Sequence, residues 1–82
     1  MALPENIDED KLAKISLAIL SVSMHGQDRV SRVWKALDWD IMNLLFEKGW
    51  ISDPKSKAKS VVITAAGIRQ AQETFAELFQ KQ

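Results

Sequence analysis

The sequence predicts a mainly α domain with one β-hairpin, an α+β fold, from three observations. Apolar residues recur at helical spacing near both ends of the chain. Between them, the Val-Val-Ile run at 61–63 is β-branched and typical of a strand. Asp53 and Pro54 supply a turn ahead of that run. Because the chain has 82 residues, we assign all of these elements to a single domain, residues 1–82.

The first helix is expected at about residues 8–24. Asn6 and Glu9 have the spacing of a capping box, and Asp8 is an alternative N-cap. The apolar residues that follow lie in two stripes, roughly 150° apart around the helix. A helix that is apolar on two sides is buried on two sides, so in this short chain we expect one side to meet another copy of the protein. One stripe holds Leu12, Ile15, Ile19 and Val22, and the other holds Ala13, Leu17, Leu20 and Met24.

The segment 29–37 fits two different structures. Its apolar residues have the i, i+3, i+4, i+7 spacing of a short helix. The part from 32 to 37 is rich in Val and Trp, which also suits a short strand. Periodicity does not distinguish the two over so few residues, and both interpretations stay open.

The second half of the chain has a regular order of helix and strand signals. Asp38 is expected to cap a helix over 39–48. A hairpin is expected over 50–63, and Thr64 is expected to cap a last helix over 65–80. The apolar face of that last helix holds Ile68, Ala71, Phe75, Leu78 and Phe79.

Part of this order resembles a known DNA-binding fold. The letters KGWI at 48–51 and TxxG at 64–67 resemble the phrase that links recognition helix, wing and dimerisation helix in winged-helix domains of the multiple-antibiotic-resistance-regulator type. The resemblance covers roughly residues 38–79 and implies a winged-helix-like fold, with the hairpin as the wing. Those domains carry a full helix just before the recognition helix, and residues 29–37 leave little room for it.

A second resemblance spans most of the chain. It is to a family of short, uncharacterised bacterial proteins, and it implies a shared fold without bringing any activity with it. The phrases that carry it are WK at 34–35, DWD at 38–40, EKG at 47–49, ISDP at 51–54, SKAKSVV at 56–62 and TxxG at 64–67.

The composition favours a soluble cytoplasmic protein. The chain carries 11 Lys and Arg against 11 Asp and Glu, whereas a dedicated nucleic-acid-binding protein usually has a basic surplus. The absence of cysteine excludes disulfides and thiolate metal sites. No apolar run approaches the roughly 18 residues that span a bilayer, so we expect no membrane partner. The first ten residues are acidic where a signal peptide would be basic.

The sequence predicts that the protein is not an enzyme. His25 is the single histidine, and there is no cysteine for it to activate. Ser56 and Lys59 match the Ser-x-x-Lys nucleophile motif, but they lie in a predicted hairpin loop rather than at a helix start. The acidic residues near the N-terminus are explained by helix capping. We therefore expect no catalytic residue, no bound metal and no cofactor.

Two groups of cations suit contacts with phosphate. The lysines at 55, 57 and 59 alternate, so in an extended loop they would project on one side at intervals of about 6.6 Å. Lysines in an exposed hairpin also block edge-to-edge strand pairing. Three phosphate contacts give a salt slope of only about −2.7, so such a loop alone would bind weakly. The candidate contacts are Lys55, Lys57, Lys59, Arg29, Arg32 and Lys35.

The helix predicted at 39–48 is poorly suited to reading DNA bases. Its polar face holds Asp40, Asn43 and Glu47, and of these only Asn43 belongs to the residue types that commonly read bases in the major groove. The two carboxylates would repel the phosphates.

The leading prediction is a non-catalytic binding module that acts through protein contacts. We expect a homodimer, and another protein is a further partner that fits this interpretation. The alternative is a DNA-binding transcriptional regulator that uses the basic wing. The candidate self-association residues are Leu17, Leu20, Met24, Phe75 and Phe79.

Overall fold

A computed structural model of the protein describes residues 3–27 and 30–81. Three α-helices pack with a three-stranded antiparallel sheet of strand order β1-β2-β3, which confirms the predicted α+β class. The last α-helix continues directly into a π-helical segment, Phe75–Phe79. The elements are α1 (Glu9–Ser21), β1 (His25–Gln27), β2 (Val30–Trp34), α2 (Trp39–Glu47), β3 (Ser60–Val62) and α3 (Ala65–Thr74).

Each of the three α-helices begins at a side chain that accepts a hydrogen bond from a backbone amide. Asp8, the alternative N-cap, accepts from the Lys11 amide at 3.0 Å, so the capping box at Asn6 is wrong. Asp38 caps α2 and Thr64 caps α3, as predicted. These caps satisfy amides that have no partner within the helix and therefore fix where each helix starts.

The ambiguous segment contains a strand rather than a helix. β2 pairs with β3 in antiparallel register, with Arg32 opposite Val62 and Trp34 opposite Ser60. The strand is selected by these partners, which lie far along the chain, and not by the local apolar spacing. Because a strand stands where a winged-helix domain has a further helix, the winged-helix resemblance is not confirmed.

The predicted hairpin over 50–63 is shorter than expected. Its first arm contributes a single β-bridge, between Ile51 and Ile63, and β3 forms its main pairing with β2 instead. Residues 54–59 form turns and bends, and Asp53 accepts a hydrogen bond from the Lys55 amide at 2.9 Å. This local bonding holds the loop in a compact turn rather than in an extended arm.

The KGWI segment at 48–51 and the TxxG segment at 64–67 contact each other in the fold. Gly49 has φ +78°, a left-handed conformation that ends α2, and its carbonyl accepts a 2.7 Å hydrogen bond from the Thr64 hydroxyl. The Thr64 amide donates to the Trp50 carbonyl at 2.9 Å. A Cβ on Gly67 would collide with that same carbonyl oxygen. The residues of both segments are therefore explained by the close packing of the end of α2 against the start of α3.

A continuous apolar core joins α1 to both other helices and to the sheet. α1 packs on α2, on α3 and on β2, so it is the central element. The core residues are Ala13, Leu17, Leu20, Val33, Met42, Leu44, Leu45, Ile51, Val61, Ile63 and Ala71.

Candidate interaction surfaces

The self-association residues predicted on α1 lie in the core. Leu17 and Leu20 are completely or almost completely buried among side chains of the same chain. The structure therefore corrects their assignment: Ala13, Leu17 and Leu20 of that stripe pack on the other elements of the fold. It is the opposite stripe that reaches solvent, with Ile19 54% and Val22 74% exposed.

The remaining three self-association residues lie together at the surface. Met24, Phe75 and Phe79 are all exposed. The rings of Phe75 and Phe79 pack edge to face with their centroids 5.3 Å apart. Both rings belong to the π-helical segment, none of whose residues is buried. With Ile68, which lies partly buried beside them, we call these residues the C-terminal apolar face.

A small groove opens on the C-terminal apolar face. Its volume is about 100 Å³, and a shallower depression continues from it past Phe75 to Phe79. No charged side chain is among the described residues that line either hollow. The groove is lined by Ser21, Met24, Ile63, Ile68, Ala71, Gln72 and Phe75, and the depression by Gln72, Phe75, Ala76, Phe79 and Gln80.

The lysine loop, residues 53–59, is exposed except at the buried Pro54, and it is not extended. Lys55, Lys57 and Lys59 all lie at the surface. Because the loop turns and bends, the regular 6.6 Å spacing expected for an extended chain does not apply.

Two further predicted cations are held beside the lysine loop. The Lys35 ammonium donates to the Ser56 carbonyl at 2.6 Å, and the Lys35 amide donates to the Lys59 carbonyl at 3.1 Å. Arg32 donates to the hydroxyl and the carbonyl of Ser60 at 2.7 and 2.8 Å. Arg29, the remaining predicted contact, lies outside the described residues.

The sheet has one solvent-exposed side that the sequence did not reveal. Residues directly opposite each other on antiparallel strands share a face, which places His25 with Arg32 and Arg32 with Val62. Val33 points into the core, so its neighbours Arg32 and Trp34 point outward. We call this side, formed by His25, Val30, Arg32, Trp34 and Val62, the outer sheet face.

An aromatic stack marks the outer sheet face. The rings of His25 and Trp34 stack with their centroids 4.6 Å apart and an interplanar angle of 26°. Ser23 supports both: its carbonyl accepts from the His25 Nδ1 at 3.0 Å, and its hydroxyl accepts from the Trp34 amide at 3.2 Å. Since the stack depends on the register of β1 with β2, it follows from strand pairing and not from any local motif.

The polar face of α2 carries the acidic residues predicted for it. Asp40, Asn43 and Glu47 line an open groove together with Glu9 of α1. Among residues 3–27 and 30–81, no group of three or more His, Asp or Glu side chains is arranged to hold a metal ion.

One surface ion pair connects α1 with the end of α2. The Lys48 ammonium donates a hydrogen bond to the Asp10 carboxylate. This contact lowers the pKa of Asp10 and raises the pKa of Lys48, in each case because the hydrogen bond favours the charged form. Both groups are exposed, so the pair is a weak link that salt will screen.

Comparison with known proteins identifies a family and a bacterial relative. A family model described as a domain of unknown function, DUF6429, matches residues 8–81. The chain is 41% identical over 73 residues to the uncharacterised protein y4hR of Sinorhizobium fredii, covering 89% of this chain and 95% of that protein. The predicted kinship with short, uncharacterised bacterial proteins is thus confirmed. No solved structure matches the chain.

None of the described helices is long and apolar enough to cross a bilayer.

Proposed function

Since the chain belongs to the DUF6429 family of unknown function, we propose its function from its surfaces: it is a non-catalytic binding module that self-associates through the C-terminal apolar face. The observation that carries this proposal is the side-by-side exposure of Met24, Phe75 and Phe79 next to an uncharged groove. Aromatic and Met side chains of this kind are enriched where proteins contact each other.

The lack of charge favours a second copy of the chain as the partner. In a two-fold dimer the same patch supplies both sides of the interface, and a charged residue close to the two-fold axis would face its own copy. Neither hollow of the C-terminal apolar face has a charged residue among its described lining. The described lining of the two hollows therefore brings no charged side chain to the centre of a two-fold interface.

The face carries a projecting ring and a groove, and this arrangement supports two-fold pairing. Phe79 is exposed at one end, and the groove beside Met24 and Ile68 lies at the other. A two-fold axis between the two features would bring the Phe79 ring of each copy to the groove of the other. Burying an aromatic ring in this way supplies the central anchor that stable interfaces usually contain.

Duplex-DNA binding through the lysine loop is the rival proposal. It is supported by the exposure of Lys55, Lys57 and Lys59. It is opposed by α2, whose polar face presents Asp40 and Glu47 where a recognition helix would need donors to bases and phosphates. We therefore place self-association first.

The proposal is tested by the mass in solution. The wild-type chain should scatter light as twice its 9.3 kDa mass, and Phe79→Asp should scatter as a monomer. Phe46→Asp is the matched control because Phe46 on α2 is 42% exposed, close to the 45% of Phe79. A monomeric wild-type mass at millimolar concentration, or dissociation by Phe46→Asp but not by Phe79→Asp, would overturn the proposal. Circular dichroism of each variant establishes that it is folded.

A further inference from the structure

We infer that the outer sheet face and the lysine loop together form a binding site for single-stranded nucleic acid, with Trp34 as the stacking residue. This site shares no residue with the C-terminal apolar face. Nucleic-acid binding at this site is therefore independent of self-association.

Trp34 provides aromatic surface for an unpaired base. Its side chain is 49% exposed although His25 stacks on it. Bases stack on aromatic rings in single-strand-binding proteins with little dependence on sequence, because every base has a π-face. A ring that remains half exposed in the folded chain is available for this contact.

The stack is held in place before any ligand arrives. Ser23 accepts hydrogen bonds from the His25 ring and from the Trp34 amide, and Arg32 is fixed by its two bonds to Ser60. Side chains that are already ordered lose little conformational freedom on binding, so less of the stacking energy is spent on immobilising them.

Positive charge is concentrated in the strand segment that carries Trp34 and in the segment that pairs with it. Residues 30–35 and 53–62 contain five cations, and Asp53 is the single carboxylate in these two segments. Because the whole chain has zero net charge, this surplus is offset by acidic residues elsewhere. Lys35 links the two segments, since its ammonium and its amide both bond to the lysine loop. A nucleic acid strand that stacks on Trp34 would therefore have cations beside its phosphates.

The geometry favours single strands over duplexes. A base inside a duplex is stacked on its neighbours and presents only its edge, so it cannot cover an aromatic ring. A helix that reads a duplex would instead need suitable donors, and α2 carries Asp40 and Glu47 on its polar face. The exposed indole can stack on an unpaired base, and the flexible backbone of a single strand can follow the turned lysine loop.

Fluorescence anisotropy with a labelled 20-residue oligothymidine tests the inference. If five cations each contact a phosphate, the logarithm of the affinity should fall with the logarithm of salt with a slope of about −3.5. Trp34→Ala should weaken binding roughly tenfold, because the loss of one base stack has an effect of this order. Replacing Lys55, Lys57 and Lys59 by Gln should reduce the slope by about two units. A duplex of the same length should bind more weakly than the single strand.

Matched variants control for general effects. Trp39 is also 49% exposed but lies on α2, so Trp39→Ala should leave the affinity unchanged. Replacing Lys11, Lys14 and Lys81 by Gln removes the same charge from other exposed positions and should leave the salt slope nearly unchanged. Phe79→Asp should bind oligothymidine like the wild type, which separates a failure of this inference from a failure of self-association.

A second measurement does not depend on the folding of Trp34→Ala. In the variant Trp39→Phe, Trp50→Phe, the remaining tryptophan is Trp34, and oligothymidine should quench its fluorescence. The inference is overturned by unquenched fluorescence at saturating oligothymidine, by equal losses from Trp34→Ala and Trp39→Ala, or by a duplex that binds as tightly as the single strand.

Discussion

The rings of Phe75 and Phe79 pack edge to face with their centroids 5.3 Å apart, at the exposed end of the last helix. Edge-to-face pairs of this geometry add to the stability of the surface that contains them. Here neither ring is buried by the chain itself. The pair is therefore a preformed apolar feature, and self-association would give it the burial that the monomer does not provide.

The two stripes of α1 should differ strongly in their contribution to stability. Leu17→Ala removes a fully buried side chain and should lower the free energy of unfolding by about 2–5 kcal/mol. Ile19→Ala removes an exposed one and should lower it by less than about 1 kcal/mol. Urea unfolding measures the loss of unfolding free energy in each variant. The protein concentration is kept low enough that the chain is monomeric. Equal effects would contradict the burial of the Leu17 stripe.

Gly67 should not tolerate a side chain. A methyl group there would collide with the Trp50 carbonyl and lie 3.0 Å from the Ile63 side chain, so Gly67→Ala should cost about 1–3 kcal/mol of folding free energy. Gly26→Ala is the matched control, because no atom lies within 4 Å of the added carbon. Thermal or urea unfolding should show a clear loss for the first variant and a change of less than about 0.5 kcal/mol for the second.

The Thr64 hydroxyl should be needed both as a cap and as a link to α2. Thr64→Ala removes the acceptor of the Gly67 amide and the donor to the Gly49 carbonyl, and should cost about 1–2 kcal/mol. Thr64→Ser keeps the hydroxyl and should recover most of that loss. If both variants are destabilised equally in urea unfolding, the hydroxyl is not the source of the effect.

The ion pair between Asp10 and Lys48 should make a small, pH-dependent contribution to stability. The folded-state pKa of Asp10 is lowered from 3.8, so its stabilisation is present above that value and is lost as the pH falls through the folded pKa. The folded-state pKa of Lys48 is raised from 10.5. The stabilisation that charged Lys48 contributes is therefore present below that value and is lost as the pH rises through the folded pKa.

Comparison of the wild type with Asp10→Asn tests this pH dependence. Their difference in unfolding free energy should be larger at pH 6 than at pH 2.5, and it should shrink in 1 M salt. A difference that does not change between the two pH values would show that the charge of Asp10 does not matter.

Local signals in the sequence were enough to place α2 and the start of α3. Asp38 and Thr64 begin α2 and α3 as predicted, because a capping side chain acts on amides only two or three residues away. The left-handed Gly49 likewise ends α2 through its own backbone conformation. Features decided within one turn of chain can be predicted from one stretch of sequence.

Features that depend on distant partners could not be predicted in the same way. Whether residues 30–34 form a helix or a strand is decided by pairing with β3, whose residue Val62 lies opposite Arg32. The buried side of α1 is decided by where the sheet and the other helices lie, and each stripe of that helix holds four apolar residues. The stack of His25 on Trp34 depends on strand register and has no local signal.

An isotope-filtered NMR experiment tests self-association most directly. A mixture of chains with ¹³C-labelled methionine methyls and unlabelled chains reports contacts between copies only. The Met24 methyl should show intermolecular NOEs to Phe ring protons of the other copy, whereas Met42, which is 1% exposed, should show none. The absence of a Met24 signal at a concentration where the mass has doubled would contradict an interface at the C-terminal apolar face.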